Sequence, residues 1–284
     1  MAAPATGIRT TKLPSGVAVP VLGQGTWHFG EDPARRDEEI ESLRRGLDLG
    51  MTLIDTAEMY GDGAAEDLIG EAIEGRRDEV FLVSKVLPHH ATFDGTVAAC
   101  KASRKRLQTE WLDLYLLHWR GNIPLAETVA AFEALKAEGA IRHWGVSNFD
   151  IGDMEDLVVV EGGENVETDQ VLYNLVRRGI EYDLIPWADE EELPLMAYSP
   201  IEQGRLLDAS ALAEVAARHH VTPAQVALAW VLRHEDVIAI PKAASPAHVD
   251  ENRAALDLHL SVKDIAHLNR AFPPPTSKVP LEML

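Results

Sequence analysis

The chain has 284 residues, with 26 Lys+Arg against 46 Asp+Glu and a formal net charge of −20 when histidine is neutral. That excess of carboxylates, with no Lys/Arg-rich run, would be repelled by phosphate backbones and by anionic headgroups, which excludes nucleic acid and the membrane surface as main partners. No apolar run approaches the roughly 20 residues that cross a bilayer, the N-terminus lacks the apolar stretch of a signal peptide, and a lone cysteine, Cys100, makes neither an internal disulfide nor a cysteine metal site, so a cytoplasmic protein is expected.

Residues 7–11 and 17–19 read as a small hairpin. A strand-like run at 22–26 precedes a helical stretch at 37–49, and 52–55 precedes 65–74. The same pairing recurs as 80–85 with 96–107, 112–117 with 126–138, 141–147 with 151–159, and 166–170 with 182–192. It ends with 195–198 before 209–233, broken at Thr222-Pro223, and 237–240 before 246–256. Eight strand–helix alternations with no linker predict one α/β domain over 1–284, a (β/α)8 TIM barrel with the hairpin at its N-terminus and short C-terminal-face loops. Gly50 and Gly139 stand where helices need a left-handed C-terminal residue, and Thr222-Pro223 and Ser245-Pro246 look like N-caps followed by proline. Phe272-Pro273-Pro274-Pro275 and the residues to Leu284 should be an irregular surface segment. An open dinucleotide-binding sheet is the competing fold, but Gly23-Gln24-Gly25 lacks the third glycine, His28 standing in its place, and no helix follows closely.

In such a barrel the strands' C-terminal ends carry the chemistry. Those ends hold Asp55 with Tyr60 following, Lys85, His118-Trp119, Ser147-Asn148, Gln170 and Tyr198-Ser199. Each residue alone has an ordinary structural explanation as a turn cap, a solvated charge or a core aromatic. As a set they point to proton transfer. A lysine ending an apolar strand needs a carboxylate such as Asp55, and its ammonium beside a phenol would lower the pKa of Tyr60 towards a usable acid. His118 could orient a carbonyl oxygen or relay the proton.

The motifs Gly23-Gln24-Gly25-Thr26-Trp27, Asp55-Thr56-Ala57 with Tyr60-Gly61, Ser84-Lys85, Leu117-His118-Trp119, Gly145-Val146-Ser147-Asn148-Phe149, Gln170, Tyr198-Ser199-Pro200 and Ile240-Pro241-Lys242 resemble the aldo-keto reductases in order and spacing. The wording is most similar to the bacterial branch containing methylglyoxal reductases. The resemblance implies a catalytic tetrad of Asp55, Tyr60, Lys85 and His118 that reduces small carbonyls, such as methylglyoxal and aromatic aldehydes, to alcohols by hydride transfer. It implies a nicotinamide cofactor held by Gly25, Thr26, Trp27, Ser147, Asn148, Gln170, Tyr198, Ser199, Ile201 and Ile240. Lys242, His248, Glu251 and Asn252 would hold its adenosine end. NADPH is implied, with NADH used less well, because Ala243 and His248 replace the family's usual serine and arginine. Arg205 or Arg253 would add positive charge there. Substrate would meet Trp27, Met59, His118 and Trp119, with the proline-rich tail as a further wall. The acidic residues would be spread over the outer helices.

Two other readings compete: a barrel lyase using Lys85 as a Schiff-base amine, and a non-catalytic nicotinamide-nucleotide sensor. Metal catalysis finds no support, because His89-His90 and His219-His220 point apart. A small-molecule carbonyl partner and a monomer are expected.

Overall fold

The computed structural model describes residues 7–284. A two-stranded antiparallel hairpin comes first, β1 (Thr10–Lys12) and β2 (Ala18–Pro20), with Thr11 opposite Val19. Eight parallel strands follow: β3 (Gln24–Gly25), β4 (Leu53–Asp55), β5 (Phe81–Val86), β6 (Leu112–Leu117), β7 (Ile141–Ser147), β8 (Asp169–Leu172), β9 (Leu195–Tyr198) and β10 (Val237–Ala239). They pair in sequence order from β3 to β10. The sheet then closes on itself, through parallel bridges Leu22 to Ala239 and Gly25 to Lys242 and the bonds Gly23 N to Ala239 O (2.9 Å) and Gly25 N to Pro241 O (3.1 Å). This is the expected barrel.

The helices are α1 (Arg36–Asp48), α2 (Ala64–Ala72), α3 (Phe93–Arg106), α4 (Leu125–Ala137), α5 (Ile151–Val158), α6 (Leu184–Glu190), α7 (Ser210–His219), α8 (Pro223–Val231), α9 (Pro246–Ala254) and α10 (Val262–Ala271). Gly50 and Gly139 take φ of 86° and 76° past the ends of α1 and α4, and Thr222 and Ser245 cap α8 and α9 ahead of proline. Among the described residues no helix is long and apolar enough to cross a membrane.

Two expectations are corrected. Helix α10 was missed in the sequence, although Ser261 and Asp264 form a capping box at its start and Leu268 is fully buried. Its inward stripe is thin, because Val262 faces solvent and the remaining positions are mostly polar. Strand β8 lies later than 166–170, since residues 166–168 only lead into it through Glu167 N bonded to Trp144 O (3.0 Å).

Strand periodicity divides the core in two. Ile54, Leu82, Tyr115, Val171, Leu195 and Ala239 point outward and pack with the helices. Leu53, Val83, Leu114, Leu116, Met196 and Ile238 point inward and form a second cluster, into which the hairpin inserts Leu13 and Val19. The hairpin thus plugs the barrel from below and leaves only the upper end open to chemistry. Ser15 N donates to the nearly buried Glu167 (3.0 Å), fastening that plug.

The seam is tightest at Gly25, where a Cβ would lie 2.6 Å from the carbonyl oxygen of Ile240. Gly25→Ala is therefore expected to cost about 1–3 kcal/mol of unfolding free energy by forcing the closure apart. Gly7→Ala, with open space around the site, should shift stability by less than about 0.5 kcal/mol. Urea unfolding of both variants checks this, and equal effects would contradict it.

Candidate active site

The inward face changes character one pleat from the top. On β4 the inward residues run Leu53 then Asp55; on β5, Val83 then Lys85; after β6, Leu116 then His118; on β9, Met196 then Tyr198. Alternation alone therefore converges a carboxylate, an ammonium, an imidazole and a phenol above an apolar floor. Tyr60 arrives differently, on a short turn after β4 in which Gly61 and Asp62 take φ of 57° and 52°. Glu58 steadies that turn from beneath, accepting from Leu87 N (2.7 Å) and pairing with His90 Nδ1 (3.0 Å).

Lys85 is completely buried and Asp55 nearly so. Lys85 Nζ donates to Asp55 Oδ2 (2.8 Å), Thr56 O (2.9 Å) and Tyr60 Oη (3.2 Å), which uses all three of its protons. Gln170 Nε2 donates to the other Asp55 oxygen at 2.7 Å. Burial opposes the charge on Lys85, but Asp55 and Tyr60 outweigh it and raise its pKa, so the ammonium persists. For Tyr60 the expected sign is corrected. Burial raises its pKa more than Lys85 lowers it, so the net shift is upward. The phenol thus stays protonated at neutral pH, with the Lys85 ammonium beside it the main influence that favours its ionised form.

His118 is 7% exposed, and its ring lies edge-on to Tyr60 with centroids 5.9 Å apart. Burial, assisted by the Lys85 charge, pushes its pKa down to about 2, so the imidazole is neutral. Its Nδ1 is buried without a hydrogen-bond partner, whereas Nε2 is the nitrogen left to face the cavity. A proton on Nδ1 would bury an unpaired N–H, which favours the tautomer that presents Nε2–H to a ligand.

A cavity of about 450 Å³ opens above these groups. Asp55, Tyr60, His118, Gly25, Thr26, Trp27, Met59, Trp119, Ser147, Asn148, Gln170, Tyr198, Ser199, Ile201, Ile240 and Lys242 all line it, while Lys85 sits behind Tyr60. Trp27 and Met59 are 37% and 39% exposed, so they are walls rather than core. The amide wall is interlocked: Ser147 Oγ donates to Gln170 O (2.8 Å), Asn148 Nδ2 to Ser147 Oγ (3.1 Å), and Tyr198 Oη to Asn148 Oδ1 (2.9 Å). His28, Asn148, Ser199 and Gln203 line the cavity with φ of 66°, 59°, 47° and 56°, a backbone strain concentrated around this space.

Three residues expected at the cofactor's adenosine end do not reach the cavity. His248, Glu251 and Asn252 stand on α9, with His248 exposed in its first turn and Asn252 buried. Arg205 and Arg253 are committed elsewhere, pairing with Glu202 (3.2 Å) and Asp257 (3.4 Å). Lys242 does line the cavity, and desolvation together with repulsion from Arg35 lowers its pKa, a situation that an added anion would relieve. Sequence reasoning missed His28, Gln203, Gly204, Met283 and Leu284 as lining residues. The tail was expected only as a surface segment and possible wall, yet its last two residues line the cavity.

A closed β/α barrel with a buried lysine–carboxylate pair behind a phenol, and an amide wall beside it, defines a carbonyl oxidoreductase site. Residues 21–272 match the aldo/keto reductase family, and the chain belongs to it. The chain is 52% identical over 273 residues to methylglyoxal reductase YeaE of Escherichia coli K12, covering 94% of this chain and 96% of that protein. It is 34% identical to glyoxal reductase of Bacillus subtilis 168, covering 90% of each. The structure of an aldo/keto reductase from Klebsiella pneumoniae in complex with NADP and acetate superimposes with a TM-score of 0.95 at 52% identity, covering 98% of this chain and 100% of that one. The protein is thus an oxidoreductase acting on carbonyl groups.

Because His118 becomes charged only below about pH 2, its neutral form persists throughout the physiological range. The pH profile of kcat for carbonyl reduction is therefore expected to have no acid limb near 6.5, the ordinary histidine value, and to fall only in alkali as Tyr60 or Lys85 loses its proton. An apparent pKa near 6.5 that disappears in His118→Gln would contradict this.

Proposed function

We propose that the protein reduces small aldehydes and ketones, with methylglyoxal and aromatic aldehydes as the substrate class, using NADPH in preference to NADH. The observation that carries this reading is the Tyr60 phenol, 3.2 Å from a fully buried ammonium and facing the cavity. The neighbouring amide wall, the Tyr198 ring and the Lys242 cation fit a nicotinamide dinucleotide. Ser147, Asn148 and Gln170 would hold the carboxamide, Tyr198 would stack on the ring, and Lys242 would meet the adenosine phosphate, with His248, Glu251 and Asn252 flanking it on α9. Relatives named as methylglyoxal and glyoxal reductases, and the NADP complex of a homologue, support the assignment.

When bound, the reduced nicotinamide supplies a hydride to the carbonyl carbon. The remaining chemistry belongs to the chain. His118 Nε2–H would fix the carbonyl oxygen, and Tyr60 would give that oxygen its proton, turning C=O into CH–OH. The phenolate left on Tyr60 lies against Lys85, whose charge Asp55 and Gln170 hold in place. Charge would thus develop beside a fixed, fully buried cation, where such stabilisation is strong. Trp27, Met59 and Trp119 would wall the substrate, and the short segment from Trp119 to the start of α4 leaves the mouth open enough for small, varied carbonyls.

The lyase reading is disfavoured by the same geometry. A Schiff-base lysine must be deprotonated and free to attack, whereas all three Lys85 protons are engaged and its charge is favoured. At the phosphate end, His248 offers a weaker clamp than an arginine fork, so the NADPH preference rests on Lys242.

NADPH and NADH oxidation over a panel of methylglyoxal, aromatic aldehydes, ketoses and keto esters tests this reading. Tyr60→Phe is expected to lower kcat by about 10²–10⁴-fold while NADPH still binds. The wild-type kcat/KM should be higher with NADPH than with NADH. Retained turnover in Tyr60→Phe would remove Tyr60 as the acid, and equal efficiency with both cofactors would remove Lys242 as the phosphate ligand.

A further inference from the structure

Beyond the barrel, residues 272–284 run back across its upper face, and the side-chain hydrogen bonds and ion pairs along them fall on the segment that follows β8. Arg178, nearly buried over the Trp230 ring, donates to Asn269 Oδ1 (2.9 Å) and Phe272 O (2.5 Å) at the start of the tail. Lys278 pairs with Asp183 at 3.2 Å. Val279 packs so closely on Gly179 that a Cβ there would stand 2.7 Å from it. Next to the tail's end, Arg177 Nη1 donates to Glu282 at 2.5 Å.

Arg177 has a second partner on a different loop. Its Nε and Nη2 donate to Glu202 Oε1 at 3.1 and 3.0 Å, and Arg205 Nη2 reaches the same oxygen at 3.2 Å. Asn174 donates to Glu202 Oε2 (2.8 Å) and Ser199 O (2.9 Å), so both ends of residues 199–202 are tied to the end of β8. Glu202 is 4% exposed and sits in the left-handed region beside Gln203, which lines the cavity. One guanidinium therefore joins a buried carboxylate of the 199–204 loop to a half-exposed carboxylate of the tail.

We propose that Arg177 is a positioning residue that couples the 199–204 loop, which lines the cofactor cavity, to the tail that walls the same cavity, so that cofactor binding orders Met283 and Leu284 over it. The proposal rests on the cofactor site described under the proposed function. The Arg177–Glu282 pair is partly solvated, so it contributes little to global stability, and its consequence is geometric. A bound cofactor that restrains residues 199–204 fixes Glu202, Glu202 fixes the guanidinium, and the guanidinium holds Glu282 one residue from the cavity wall. Linkage makes the effect reciprocal: a filled substrate wall would favour the cofactor-bound loop. The pair thereby sets specificity for small carbonyls from outside the reacting centre.

Hydrogen exchange with and without NADPH tests this in the wild type and in Glu282→Ala, which cuts the tail side alone. In the wild type, NADPH should slow exchange in residues 199–205 and in 279–284. In Glu282→Ala, it should protect only the loop, and the KM for methylglyoxal should rise about fivefold or more with kcat much less affected. Arg177→Met should behave likewise in the tail and also weaken NADPH binding, because it releases Glu202 as well. Tail protection that persists in Glu282→Ala, or is absent in the wild type while the loop is protected, would overturn the coupling and leave the cofactor site standing. No protection of the loop in any protein would overturn the cofactor site, and the coupling with it.

Discussion

An ammonium with no solvent exposure dictates the upper half of this barrel. Taking Lys85 out of water is tolerable only if each of its protons finds an acceptor and its charge finds a counter-ion, and the end of β4 with the turn after it supplies both. Removing a partner from such a pair costs about 3–5 kcal/mol, a large share of the roughly 5–15 kcal/mol that holds a domain together. Replacing the pair with packed apolar residues would be cheaper for the fold. Its position 3.2 Å from the cavity-facing Tyr60 phenol gives the reason for keeping it under the proposed function, where the charge would meet a phenolate formed during reaction.

The same economy runs through the site's surroundings. The inward face is apolar up to Leu53, Val83, Leu116 and Met196, and polar one pleat higher, so the rigid part of the barrel positions the reactive groups directly. Tyr60 is the exception, carried on a turn, and that turn is pinned through its own Glu58 to Leu87 and His90 of the next loop. His118 is kept neutral by burial and by Lys85, which makes it a hydrogen-bonding group rather than a competing proton source. The left-handed residues around the cavity store strain where loops must bring backbone close to a ligand, and the closed hydrogen-bonded sheet below holds them there.

Much of this was legible in the sequence because it follows from local periodicity. The runs 112–117, 141–147 and 195–198 coincide with strands β6, β7 and β9, and the residues just past each strand end are those that meet in the cavity. What the sequence concealed depends on long-range context. Helix α10 buries too thin a stripe to stand out, and the path of the tail is fixed by Arg177, Arg178 and Asp183, about 90–105 positions away in sequence, which no local pattern reports. The sign of the Tyr60 shift was missed for a related reason. Lysine proximity could be foreseen, but the depth of burial that outweighs it is a property of the assembled walls. The −20 charge also reads differently once the site is in view, since Asp55 is committed to Lys85 and Lys242, which lines the cavity, carries its charge close enough to Arg35 to be repelled by it.

The account's central claim is that Lys85 acts on the charge state of Tyr60. It is tested most directly by titrating Tyr60 itself, with ring-¹³C-labelled tyrosine followed by NMR in the wild type and in Lys85→Met. Lysine proximity is the main influence that stabilises the phenolate, so loss of the ammonium should move Tyr60 ionisation to higher pH than in the wild type. Ionisation of Tyr60 at the same pH in both proteins would contradict the claim, and would leave the buried lysine without a part in proton transfer.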